Sequence, residues 1–131
     1  MKLNDQQGII AKLGRSFSDD PEEVIRVAAK FVDVFSRNGI ACAYKHFPGH
    51  GDTASDSHHG LGTVPHSMER LHAVELPPFI AALKADAKLV MTAHLGILSI
   101  DGPDAPPATL SPNIVNGLLR RDLSFDGVVV T

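Results

Sequence analysis

The sequence predicts an α/β fold built on a parallel sheet, and three observations carry that prediction. Three short runs, Ile40-Ala41-Cys42-Ala43-Tyr44, Lys88 to Thr92 (KLVMT) and Val128-Val129-Val130-Thr131, are too short for helices and largely apolar throughout. Strands buried on both faces read this way, whereas strands with one wet face alternate. Segments with apolar residues at helical spacing lie between these runs, and strand–helix–strand alternation builds right-handed βαβ units. Long loops follow the strands and short connections precede them. That asymmetry belongs to (β/α) barrels, whose chemistry sits on the loops after the strands. The competing doubly wound sheet needs a glycine-rich phosphate turn for a nucleotide site, and no strand here is followed by G-x-G-x-x-G. A full barrel takes ~250 residues. The expectation for these 131 residues is therefore a partial (β/α)8 TIM-type barrel, with 1–131 forming a fragment of one barrel domain.

Each element has a local reason. A first helix over 20–38 opens with Asp20 as N-cap, Pro21 at the first helical position and Glu23 completing a capping box. Val24, Val27, Ala28, Phe31, Val32 and Phe35 give it one apolar face, and Asn38-Gly39 stops it. A buried strand follows over 40–46. Residues 48–66 hold glycines, histidines and small polar residues without periodicity, a loop long enough to be functional. Helical pattern resumes over 67–85, and Pro77-Pro78 should break it into two short helices. A second strand, 88–93, precedes another long loop, 94–110. Ser111 caps a third helix over 111–121 with Pro112 at its first position, and Asp126-Gly127 turns into a third strand, 127–131. The strands should be parallel neighbours in sequence order. Their two unpaired outer edges make the isolated chain an association hazard.

Composition narrows function. The chain is 44% hydrophobic and 21% charged, ordinary globular values that exclude a disordered or fibrous class. No apolar run approaches the ~18 residues of a membrane span. A formal net charge of −3 argues against a nucleic-acid-binding surface, which needs a basic excess. Cys42 is the single cysteine, so no intramolecular disulfide or cysteine-based zinc cluster forms, and its apolar neighbours suggest a buried, inert thiol. The first residues lack a signal peptide's long apolar core. Compartment stays open, with the cytoplasm favoured because nothing suggests disulfides.

One segment concentrates chemistry: Lys45-His46-Phe47-Pro48-Gly49-His50-Gly51-Asp52-Thr53, then Asp56-Ser57-His58-His59. Four of the seven histidines fall between positions 46 and 59. A metal reading uses His46, His50 and Asp52 as ligands. It is weak, because dinuclear zinc hydrolases bring their histidines closer together and no HExxH helix is present. An acid/base reading pairs Asp56 with His58: a carboxylate on one imidazole nitrogen fixes the tautomer and leaves the other to move a proton near neutrality. The plain alternative is a turn-forming Asp beside a solvated His.

KHFPGHGDT followed by DSH resembles the signature of glycoside hydrolase family 3, in its β-N-acetylglucosaminidase branch. The resemblance extends to Gly14-Arg15-Ser16-Phe17-Ser18, the ERL and ELPPF segments within 69–79, Met91-Thr92-Ala93-His94, Ala108-Thr109-Leu110-Ser111 and Phe125-Asp126-Gly127-Val128-Val129-Val130-Thr131. It implies a retaining exo-β-N-acetylglucosaminidase acting on terminal N-acetylglucosamine of peptidoglycan- or chitin-derived glycans. Arg15, Lys45 and His46 would hold the sugar. His58 would be the acid/base, oriented by Asp56. His50 and Asp52 would shape the strand-end turn, and His59 would be a solvated neighbour. No metal and no organic cofactor is implied, and the partner is a carbohydrate. The resemblance and the X-Pro turn together suggest a cis Phe47–Pro48 bond, with Lys45–His46 strained or cis as well.

The sequence departs from the family pattern in three places. Gly62 stands where relatives usually have Pro, which loosens the end of the catalytic loop. The family reads G-V-V-V-T-D, with Asp as nucleophile, and the chain ends at Thr131, one residue short. Relatives also carry a first third of the barrel before the R-S-F segment. These departures leave a non-catalytic amino-sugar-binding module as an alternative. Phosphate in place of water as acceptor, and metal-dependent hydrolysis, are further ones.

Overall fold

The computed structural model describes residues 8–51, 53 and 62–131. Strands β1 (Ala43–Phe47), β3 (Leu89–Thr92) and β5 (Val128–Val130) form a parallel sheet in the order β1-β3-β5. The expected strands are therefore parallel and adjacent in sequence order, each two residues shorter than expected. Between β1 and β3 lie β2 (Gly62–Val64), α3 (Met68–Arg70), its continuation as a π-helix over Leu71–Glu75, and α4 (Pro77–Lys84). After β3 come β4 (Leu95–Ile97), the short α5 (Leu98–Asp101), a 3-10 turn (Ala108–Leu110) and a second π-helix (Asn113–Asp122). Before β1 stand α1 (Ile9–Lys12) and α2 (Pro21–Arg37).

The local signals act mostly as read. Asp20 caps α2 by accepting the Glu22 N–H at 3.0 Å. The reciprocal arm of the capping box is not made: Arg26 holds the Glu23 carboxylate at 2.7 Å, and the Asp20 N–H goes to Ser18 Oγ at 3.1 Å. Gly39 follows the helix at φ +74°, a backbone conformation glycine adopts freely. Pro77 and Pro78 fill the first turn of α4, where no N–H is needed, so the helix divides at Leu76. Ser67 Oγ accepts the Arg70 N–H at 3.3 Å, and Ser111 Oγ accepts the Ile114 N–H at 3.1 Å.

The core sits beneath β1 and β3 and runs on under the second π-helix. Phe47, Leu71, Leu76, Val90, Leu95, Ile97, Ile114 and Leu119 are fully covered. Phe47 meets Phe79 edge-on at 5.2 Å between ring centroids. At the base of β5, Arg120 donates to the carbonyls of Phe125 (2.9 Å) and Gly127 (2.7 Å) and lies over the Phe125 ring, which fixes where the strand enters the sheet.

Three expectations of burial are corrected. The run 40–44 is not a buried strand: Ile40 is 51% exposed, and pairing begins only at Ala43. Cys42 is partly exposed and lines a cavity. No residue of α2 is buried, and Phe31 on its apolar face is 52% exposed. The reason is common to all three: β1 is a sheet edge, and no described strand lies between it and α2. A second finding lay outside the sequence pattern. Both long loops contribute a strand, β2 and β4, which pair in parallel register from Gly62↔Leu95 to Val64↔Ile97. That pair roofs the core above the strand ends.

Candidate active site

The C-terminal ends of β1, β3 and β5 share one face, where a barrel places its chemistry. Register explains how β1 delivers its residues there. Lys45 pairs with Met91 and Phe47 with Thr92, so His46 is an extra residue in the ladder. Such a bulge bends a strand and re-aims a side chain. Phe47 thus stays in the core, with its carbonyl accepting the Ala93 N–H at 2.8 Å, while His46 faces the strand ends. The Lys45–His46 and Phe47–Pro48 peptide bonds are both cis, as expected.

Beyond the bulge the chain turns sharply. Gly49 sits at φ +152°, and a Cβ there would lie 2.8 Å from Glu75 Cβ and Cγ. His50 is buried, and its ring meets that of His46 at 5.5 Å in a T-shaped contact. Its Nδ1 is hydrogen-bonded to Thr53 Oγ1, which also donates to the His50 carbonyl at 2.9 Å. The Thr53 carbonyl in turn accepts the Ile9 N–H at 2.9 Å, which ties α1 to the turn. Under the turn, Arg70 pairs with the buried Glu75 carboxylate at 2.9 Å; burial raises the Glu75 pKa and Arg70 opposes the rise.

A cavity of about 220 Å³ opens over these strand ends, lined by Arg15, His46, His50, His94 and Thr131 among others. A second, of about 480 Å³, lies between α2 and the edge of β1. Its walls are mainly apolar, with Phe17, Phe31, Tyr44 and Phe79 prominent, and it shares Arg15, His46 and His50 with the first. The smaller cavity is the one at the chemical end of the sheet. Burial holds the His46 pKa down to about 4, helped by the nearby His50, Lys45, Arg15 and His94, so this imidazole is neutral at pH 7.

The structure thus brings together Arg15 and His46. Lys45 is exposed and lines the larger cavity beside them. Asp56 and His58, expected as the acid/base pair, lie outside the described residues, as do Asp52 and His59. Among the described residues no group of three or more His, Cys, Asp or Glu side chains is arranged to hold a metal ion. No described helix is long and apolar enough to cross a membrane. Sequence reasoning gave no role to His94 or Thr109. Thr109 Oγ1 lies 2.7 Å from His94 Nδ1 and 3.0 Å from Thr92 Oγ1, and Thr92 Oγ1 is 3.4 Å from the Val130 carbonyl. These residues come from three separate segments, and only folding joins them.

Comparison with known proteins agrees with this arrangement. The chain is 39% identical over 127 residues to Beta-hexosaminidase A of Pseudoalteromonas piscicida, covering 89% of this chain and 21% of that protein. Among solved structures it resembles a glycoside hydrolase family 3 beta-N-acetylglucosaminidase from Paenibacillus sp. str. FPU-7 (51% identity, TM-score 0.81, 84% of this chain and 21% of that one). It likewise resembles Zn-bound CbsA from Thermotoga neapolitana (40% identity, TM-score 0.82, 88% and 25%). The chain therefore spans about a quarter of these relatives' length. The glycosyl hydrolase family 3 N terminal domain matches residues 3–131, nearly the whole chain. On that match, and with the parallel βαβ units of its fold, this chain belongs to glycosyl hydrolase family 3.

Proposed function

We propose that the protein carrying this chain is a retaining exo-β-N-acetylglucosaminidase, and that the chain supplies its sugar-binding and acid/base side. The observation that supports this most directly is the convergence of Arg15, His46 and Thr131 on one cavity at the C-terminal strand ends. Arg15 is a forked donor suited to sugar hydroxyls. His46, neutral at pH 7, offers one donor and one acceptor. Lys45 adds a cation at the rim.

In this reading the nucleophile is the Asp that follows V-V-V-T in the family pattern. Its carboxylate oxygen attacks the anomeric carbon as the glycosidic C–O bond breaks. Protonated His58 gives its proton to the leaving oxygen. The neutral imidazole then takes a proton from water, whose oxygen attacks the glycosyl-enzyme and releases the carboxylate. Asp56 holds the His58 tautomer throughout. A His–Asp dyad here replaces the second carboxylate of most retaining enzymes.

The test is His58→Ala in the full-length protein. Turnover of N-acetylglucosaminides with ordinary leaving groups should fall ~10²–10⁴-fold. Nitrophenyl glycosides, which need less protonation, should suffer less in the glycosylation step. Asp56→Ala should give a milder version of the same pattern. Near-normal rates for His58→Ala on unactivated substrates would remove His58 from the mechanism. Chelation should leave activity unchanged; its loss would return the metal reading.

A further inference from the structure

The hydroxyl of Thr109 has a single proton and three neighbours: Thr92 Oγ1 at 3.0 Å, the Ala93 carbonyl at 3.2 Å and His94 Nδ1 at 2.7 Å. The Ala93 carbonyl already accepts the Thr109 N–H at 3.3 Å. The imidazole nitrogen is the nearest of the three and the Ala93 carbonyl already has a donor, so the Thr109 proton is assigned to Nδ1. Thr92, 3% exposed at the end of β3, can then donate its own hydroxyl proton to Thr109. The chain of donation runs Thr92 to Thr109 to His94. A His that accepts at Nδ1 while neutral carries its proton on Nε2. With Nδ1 turned back onto Thr109, the opposite edge of the ring faces the 220 Å³ cavity, which His94 lines beside Arg15, His46 and Thr131.

We propose that Thr109 is a positioning residue that fixes His94 in the Nε2–H tautomer, and that His94 thereby presents a hydrogen-bond donor to an oxygen of the sugar held over the strand ends. The sugar contact rests on the function proposed above; the tautomer does not. The arrangement makes chemical sense. His46 and His94 share one cavity, and a ring with a fixed donor edge selects an acceptor oxygen, a hydroxyl or an amide carbonyl, at that point.

The test uses the full-length protein with ¹⁵N-labelled histidine, the His94 resonances being assigned with His94→Gln. Nitrogen shifts separate the two tautomers directly. The wild-type ring should carry its proton on Nε2. Thr109→Val should convert it to a mixture, and Thr109→Ser should restore it. Titration with N-acetylglucosamine should move the wild-type Nε2 signal. Sugar binding should weaken in Thr109→Val in proportion to the Nε2–H tautomer lost, about twofold for an equal mixture, and recover in Thr109→Ser. A wild-type proton on Nδ1 overturns the proposal, and this measurement needs no variant to fold. So does a tautomer indifferent to Thr109→Val. Sugar that binds without moving the Nε2 signal overturns the contact. A protein that binds no amino sugar, yet whose tautomer follows Thr109, supports the positioning role and refutes the proposed function instead.

Discussion

Replacing Gly49 by alanine should unsettle the turn that carries His50 away from β1, and the structure sets the size of the effect. The added Cβ would stand 2.8 Å from both Cβ and Cγ of Glu75. Carbon atoms rest at about 3.5–4.0 Å, so the overlap approaches an ångström. Glu75 has little freedom to retreat. Its side chain is 5% exposed, and Arg70 grips its carboxylate at 2.9 Å. Overpacking of this kind costs about 1–3 kcal/mol. Holding alanine at φ +152° adds about 1–3 kcal/mol of backbone strain. A loss of about 3 kcal/mol is expected, measured by urea unfolding of the full-length protein and its variant. A double-mutant cycle separates the two causes. Glu75→Gly removes both clashing carbons, so Gly49→Ala should cost about 1–3 kcal/mol less in that background. A single variant within about 0.5 kcal/mol of wild type would refute the packing argument. A coupling energy near zero would assign the whole effect to the backbone.

Two further outcomes follow from the site. The folded-state pKa of His46, about 4, lies below its ordinary 6.5, so the unfolded chain takes up a proton first on acidification. This contribution to stability is complete above pH 6.5 and is lost as pH falls from there towards 4. It amounts to about 1 kcal/mol once solvent screening of a half-buried ring is allowed for. His46→Gln should flatten that part of the stability–pH curve, and an unchanged slope would contradict the assignment. Arg15→Ala and Lys45→Ala should raise KM for N-acetylglucosaminides about tenfold while lowering kcat far less, as expected of binding groups; a pure kcat effect would place them in the chemistry instead.

The parts of the fold that were legible in the sequence are those written in local pattern. Asp20, Pro21 and Asn38-Gly39 bound α2 because caps and stops act over one turn. The apolar runs around Val90 and Val129 announce strands because a strand covered on both faces needs no alternation. Burial was less legible. Ile40, Cys42 and Phe31 have the character of interior residues, yet the edge of β1 leaves them open, since exposure depends on neighbours and not on the residue. Strands β2 and β4 escaped notice because three residues are too few to display a period. In the site, His46 stood out through its place in the histidine-rich segment, and Arg15 only through the family resemblance. His94 and Thr109 lie fifteen positions apart on opposite sides of a proline-rich loop. Their hydrogen bond is a product of tertiary structure, and no spacing rule reports it.

The extra residue at His46 has a consequence for the strand as a whole. Side chains alternate with a period of two, so one inserted residue works as a phase shifter. Upstream of it, Tyr44 lies across from Val90; downstream, Phe47 lies across from Thr92. Deleting His46 would remove the extra residue and bring Phe47 two positions after Tyr44, still across from Thr92, so the core face of the strand would survive. What would be lost is the side chain that the irregularity frees from the ladder. The same one-residue deletion inside a regular strand such as β3 would exchange inside for outside at every later position. At the bulge, a length change of one residue therefore spares the interior and takes His46 out of the site.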